Sequence, residues 1–359
     1  MSIAERRVTP RELVEAGFAV DAESFLRVYR EVVDDGAARG TRVLTVVASG
    51  GLTLRVLLDR GMDIGQAWFD GYPVSWQTAV GEVAPGFVNG GQGWLDGWSG
   101  GLVTTCGLRN IGSPSEGEGQ HGSFTDLPAQ NVSITRRWLD DGQLAVDIEG
   151  MLFDASSLRG RLVVRRRITL ATSSGELEIS DRVTNESAIA EQTPILYHVN
   201  LGAPFLSADS VIAWRGWNDT ERDGVSGTTD MGRPQLVDDR IVELSRDQGA
   251  GESGAVVTSP ALGLIAEVLW DTDALPRLHT WQRWVPGSFA MSIEPANASL
   301  RGRAYDRAEG RAPMLAPGET RRTGVTVRLR KQRGCDITLK SSGSPAERKS
   351  HESSTSSWR

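Results

Sequence analysis

An all-β fold, a large antiparallel β-sandwich with short helices at its N-terminus, is what this sequence predicts, and three observations carry the prediction. First, from residue 41 onward the runs TRVLTVVAS, LTLRVLLD, AWFDG and PVSWQT are β-type and are separated by Gly-Gly, Arg-Gly and Asp-Gly turns. Second, the same grammar returns in NVSITRRWL, GQLAVDIEGMLF, RLVVRRRITL, ELEISDRVTNES, LGLIAEVLW, SFAMSIEP and TRRTGVTVRLR, with inward–outward alternation clear at Leu177-Ile179 and Val325-Val327-Leu329. Third, no long helical period lies between these runs, which counts against a parallel α/β plan.

The helical signals are confined to the start. Thr9-Pro10-Arg11-Glu12 sets a cap, a first-turn proline and an acidic partner in the order of a capping box. Phe25, Leu26, Tyr29 and Val32 recur at helical spacing, predicting a second amphipathic helix between Asp21 and Val33. The chain therefore divides into a helical extension over 1–40, a sandwich over 41–335 and a disordered tail over 336–359, whose composition cannot build a core. In RLVVRRRITL, Arg165 and Arg167 alternate imperfectly with Val164, Arg166 and Ile168, and a solvated strand face is expected for the run in place of a phosphate-binding stripe.

The 39 basic and 46 acidic residues give a formal charge of -7, which favours solubility and argues against nucleic acid or an anionic membrane as partner. Cys106 and Cys335 make no disulfide framework and lack metal-knuckle spacing. No run of eighteen apolar residues occurs, and the N-terminus lacks a continuous apolar core. A cytoplasmic protein, monomer or homodimer, is expected. No P-loop, GxGxxG, HExxH or GxSxG motif is present, so no cofactor or metal is predicted.

The chemistry concentrates on a few residues. Of four histidines, His351 lies in the tail and His121, His198 and His279 lie in GQHGSF, YHVNLG and LHTWQRW. His198 ends an apolar run, where an unpaired ring is costly, and Asn200 shares its strand face and can hold it. Glu294, at the end of FAMSIEP, is a carboxylate whose desolvation raises its pKa toward the range of a general base. Arg109 and Asn110 in the tight GLRNIG turn offer fixed donors, and His279 with Trp281 offers a donor and an aromatic wall. The Gly-rich stretch 81–125 is expected to be either a mobile loop or tightly folded backbone near a ligand. Trp94, Trp98, Trp214, Trp217, Trp281 and Trp284 fall near loops, where at least two are expected to line a pocket for the C–H face of a sugar.

LLDRGMDIGQAWFDGYPV, GWLDGWSGGLVTTCGLRNIG, GQHGSFTDLPA, YHVNLG and SIEPAN resemble, in order and spacing, a divergent branch of the aldose 1-epimerase (galactose mutarotase) superfamily over roughly residues 40–330. The resemblance implies a galactose mutarotase-like supersandwich and cofactor-free epimerisation of a sugar at its anomeric carbon. It implies Glu294 as base toward the anomeric hydroxyl and His198 as acid toward the ring oxygen, with Arg109 and His121 helping to hold the substrate. The family's strand motif is closer to Asn-His-x-Tyr-Phe-Asn, whereas Tyr197-His198-Val199-Asn200-Leu201 stands here, and its sugar-binding aspartate has Asp271 or Asp273 as candidates, or is replaced by His279 with Trp281. A monosaccharide or modified sugar is the expected substrate; these departures weaken the case for galactose or glucose and leave a ketose, a modified sugar or a sugar acid open. A non-catalytic carbohydrate-binding protein and a metal-assisted sugar isomerase or epimerase are the alternatives. The epimerase reading requires His198 and Glu294 to face each other across a pyranose-sized gap that opens to solvent, with the basic limb of the pH profile set by the His198 proton.

Overall fold

The computed structural model describes residues 8–87, 93–218, 228–247 and 253–332. Two large antiparallel sheets dominate it. The first has eleven strands. Its continuous path runs Leu26–Val32, Arg42–Ala48, Leu52–Leu57, Asp63–Phe69, Val103–Gly107, Ile195–Gly202, Ser288–Ala296, Arg277–Val285, Arg240–Arg246 and Trp217–Asn218, and Tyr72–Pro73 pairs off this path. The second has nine strands and contains the long meander Gln130–Trp138, Leu144–Ser156, Arg159–Ala171 and Gly175–Asn185, closed by Thr320–Lys331.

Alternation builds the sandwich. Leu177, Ile179 and Val183 turn inward from the second sheet, as do Val325, Val327 and Leu329, and meet Tyr197, Val199, Leu201, Met291 and Ile293 from the first in one apolar core. Three strands of the first sheet break the half-polar pattern. Ile195–Gly202 is buried at every residue, and Arg277–Val285 and Ser288–Ala296 are buried over most of their length. Both faces of these strands are covered, the outer one by the Gly-rich loops. Polar side chains on that outer face are therefore buried in spite of lying outside the sandwich.

The first predicted helix is present at Pro10–Glu15, with both capping-box bonds between Thr9 and Glu12. The second is not. After a short turn at Ala22–Ser24, Leu26–Val32 is an edge strand paired with Arg42–Ala48, so the sandwich takes in residues expected to form a helical extension. Leu26, Val28 and Val32 fit a period of two while Phe25, Leu26, Tyr29 and Val32 fit a helical one, and ladder bonds to the neighbouring strand decide between them. Arg166 also departs from expectation. Arg165 and Arg167 are exposed, but Arg166 is buried in the core, paired with Asp181 at 2.7 Å and Asp63 at 3.0 Å. The tail, with Cys335 and His351, lies outside the described residues.

Candidate active site

The site begins as one row across the first sheet. Val199 stands opposite Ile293 and Leu196 opposite Ala296, a register that sets His198 beside Glu294. His279 stands opposite Glu294 on the next strand, and Thr104 opposite His198 on the other side. Side chains directly opposite each other share a face. Since Tyr197, Val199 and Ile293 point into the core, His198, Glu294 and His279 meet on the outer face, although 96 positions separate the first two.

His198 Nε2 lies 3.2 Å from Glu294 Oε1. The ring's other nitrogen, Nδ1, meets the side-chain oxygen of Asn200, whose amide nitrogen donates to the His198 carbonyl at 3.0 Å. An amide oxygen only accepts, so Nδ1 carries a proton and Nε2 faces the carboxyl group. The Nε2···Oε1 contact then holds a single proton, on one atom or the other. The Ser292 hydroxyl also donates to Glu294 Oε1 and receives the Trp281 N–H at 2.9 Å, so Ser292 fixes the carboxyl from below.

Burial governs the electrostatics. It lowers His198 to about 4, against the opposing pull of the bond to Asn200. It raises Glu294, with Ser292, His279 and the Trp281 N–H pulling the other way. Both groups are driven toward their uncharged forms, so the shared proton rests on Glu294.

His121 approaches from the loop side. Its ring centroid is 6.3 Å from that of His198 and 4.6 Å from Trp94. The Gly112 N–H donates to its Nδ1 at 3.3 Å, which puts the ring proton on Nε2. Burial, then the neighbouring His198 and His279, lower it to about 3, so it is a neutral donor. His121 adopts a left-handed φ of 57°, and the next residue, Gly122, is left-handed too at 69°. A Cβ on Gly122 would meet the Gly107 carbonyl oxygen at 2.3 Å. Gly122→Ala is expected to lower stability by at least about 1–2 kcal/mol from the left-handed backbone alone, read as a fall in the urea midpoint. A midpoint equal to wild type would show that this loop does not clamp His121.

Trp76, Trp94, Trp98 and Trp281 roof the pair. Trp98 lies edge-on to His198 at 4.9 Å, Trp281 is 6.2 Å from it, and Trp98 and Trp281 are 5.3 Å apart. The Trp281 indole N–H, distinct from the backbone N–H that meets Ser292, donates to Asp239 at 3.0 Å. Residue exposure is 4% for His198 and 2% for Glu294. The expected pyranose-sized gap is therefore absent: the two groups touch beneath closed indoles. Trp76, Thr104, Ser292 and Asp239 were not among the predicted site residues.

The remaining predictions separate. His279 belongs to the row, with Nε2 3.2 Å from the Ala298 carbonyl. Arg109 does not serve as a sugar donor. It is 2% exposed, its guanidinium is bound by Asp154 and Glu191 at 3.1 and 2.8 Å, and it donates to the Gly160 carbonyl at 2.9 Å. Asn110 donates to the Ser113 and Gly119 carbonyls, so it shapes the loop that carries His121. Asp271 and Asp273 form an exposed turn. Trp214 and Trp217 are core residues, and Trp284 packs against the core. Residues 88–92 of the Gly-rich stretch lie outside the described residues. Among the described residues no group of three His, Cys, Asp or Glu side chains is placed to hold a metal ion, and no helix is long and apolar enough to cross a membrane.

No curated protein matches the sequence. Among solved structures, a Klebsiella pneumoniae protein provisionally described as an aldose 1-epimerase is similar, with a TM-score of 0.74 at 24% identity over 85% of this chain and 83% of that one. A galactose mutarotase-like protein from Clostridium acetobutylicum has a TM-score of 0.56 at 12% identity over 86% of this chain and 100% of its own. A galactose 1-epimerase from Lactobacillus acidophilus has a TM-score of 0.54 at 13% identity over the same shares. At these identities the likeness is one of fold, and the fold is the galactose mutarotase-like sandwich. Residues 38–329 match the family described as a domain of unknown function, DUF4432, and the chain belongs to that family.

Proposed function

We propose that this protein epimerises a sugar at its anomeric carbon, with Glu294 and His198 as a bifunctional proton-transfer pair. The observation that supports the reading most is the 3.2 Å Nε2···Oε1 contact, with its one proton and its orientation fixed by Asn200 and Ser292. The hydroxyl and ring oxygens of a hemiacetal are bonded to one carbon. A base and an acid in direct contact suit such a geminal pair, each reaching one oxygen, so the sugar presents its anomeric edge and does not lie between the two groups. As the sugar enters, the shared proton passes from Glu294 to His198 Nε2; the Glu294 carboxylate then takes the anomeric hydroxyl proton while His198 Nε2–H gives its proton to the ring oxygen. The O1–H electron pair becomes the second bond of the C1 carbonyl, and the C1–O5 bond breaks with its pair going to O5, which takes the His198 proton. Rotation about C1–C2 and the reverse transfers close the other anomer, and the pair returns to its starting protonation.

The indole roof must move for this edge to enter. The same closure favours a second reading, a carbohydrate-binding protein without catalysis. Exchange NMR on a panel of neutral reducing sugars separates them. The epimerase reading expects anomer interconversion to accelerate in proportion to enzyme. Calorimetric binding of a sugar with no acceleration would leave the binding reading standing and sink the catalytic one.

A further inference from the structure

Next to the roofed pair, on the same outer face, the first sheet carries a second feature. Gln66 and Trp68 leave the strand Asp63–Phe69 opposite to Ala67 and Phe69, which are core residues. They help to line a cavity of about 470 Å³, together with Trp76, Gln77, Ser288 and Phe289. Ligand cavities run from about 300 to 1,000 Å³. None of the residues lining this one is ionisable. Its walls combine flat aromatic surfaces with side-chain amides and hydroxyls, which together match the C–H faces and hydroxyls of an uncharged sugar ring.

Trp76 connects this cavity to the pair. Its indole lines the cavity and also packs 5.0 Å from Trp98 and 5.1 Å from Trp281, the two indoles over His198. The indole rests against Gly202, where a Cβ would meet Trp76 Cα and Cβ at 2.8 Å. Its backbone is held by a strand of only two residues, Trp76–Gln77, paired with Gly100–Gly101. The indole is half-buried and stands between the cavity and the row of His198 and Glu294.

We propose that this cavity binds a second, neutral sugar ring, joined glycosidically to the ring whose anomeric carbon meets Glu294 and His198, with Trp76 as the wall the two sites share. The substrate is then a reducing disaccharide or longer saccharide, oriented with its free anomeric hydroxyl toward the pair, because a blocked anomeric centre cannot open. The orientation rests on the epimerase reading above; the binding of a second ring does not.

The test uses the full chain with glucose and galactose against maltose, cellobiose and lactose, measuring affinity by calorimetry and anomer exchange by NMR. At least one disaccharide is expected to bind about tenfold more tightly than its reducing-end monosaccharide, the worth of one added stacking platform. Trp68→Ala should bring that ratio close to one, and Trp68→Phe, which keeps a ring, should restore most of it. Equal affinities for mono- and disaccharides, no binding of either, or an equal loss of both in Trp68→Ala would overturn the proposal. Disaccharide preference without anomer exchange would support the cavity and sink the epimerase reading. Exchange without disaccharide preference would do the reverse.

Discussion

Arg166→Met is expected to cost about 3–5 kcal/mol of stability at neutral pH, the loss typical when one partner of a buried ion pair is removed. Arg166 is 1% exposed and binds both oxygens of Asp181, at 2.9 and 2.7 Å. It also donates to Asp63, to the Thr105 hydroxyl and to the Gly61 carbonyl, and its guanidinium stacks 4.8 Å from the Phe124 ring. Asp181 accepts the Tyr197 hydroxyl at 2.6 Å as well. Methionine fills similar space but leaves two carboxyl groups without a cation inside the sandwich. The pH dependence follows from Asp63, which burial raises to about 6 even against the pull of Arg166. A carboxyl that is raised in the folded state takes up a proton on folding, so its contribution to stability falls as pH rises from the unfolded value through the folded one. Without Arg166 the folded value climbs further. The deficit of the variant should therefore widen from pH 4 to beyond pH 6. Urea midpoints for both proteins at pH 5 and pH 7 measure it, and a loss under about 1 kcal/mol at pH 7 would remove Arg166 from the role of core anchor.

The same arginine marks where sequence reading stops. RLVVRRRITL carries Arg165, Arg166 and Arg167 in succession on one strand, and Arg165 and Arg167 do face solvent. Nothing local tells Arg166 that Asp63 and Asp181 stand across the core, because those partners come from other strands. Arg109 failed for a related reason. A tight glycine turn advertises fixed donors, but whether they face a sugar or a carboxylate depends on Asp154 and Glu191, 45 and 82 positions away. His198, Asn200 and Glu294 were legible because a polar side chain within an apolar strand must find a partner. Their direct contact was not, since it is set by the register of two strands that are distant in sequence. Trp76 was hidden in PVSWQT, which reads as an ordinary strand until Trp98 and Trp281 are seen to fold over it. The large sandwich was readable from alternation and turns, which are local. The edge strand Leu26–Val32 was lost because seven residues satisfy two periods at once.

Glu294→Gln and His198→Asn are each expected to lower kcat/KM for anomer exchange by about 10²–10⁴-fold, the usual worth of a positioned acid or base. Glutamine keeps the size of the side chain and can accept from Ser292, so loss of rate with an unchanged urea midpoint assigns the effect to proton transfer. The two substitutions should not add. A single proton occupies the Nε2···Oε1 contact, and removing either end destroys the same transfer, so the double variant should fall no further than the worse single one. The pH profile follows from the same proton. With Glu294 raised and His198 lowered, the pair keeps one proton over a wide interval, and its apparent values belong to the pair. Below about pH 4 His198 gains a second proton while the carboxyl is still protonated, and the base is lost. Above the raised value of Glu294 the shared proton leaves and the acid is lost. Activity should thus be bell-shaped, with a basic limb that moves in Ser292→Ala: this variant removes a hydrogen bond that favours the carboxylate, so the limb shifts to higher pH. A basic limb that stays in place in Ser292→Ala, or single variants that retain wild-type kcat/KM, would detach the pair from catalysis.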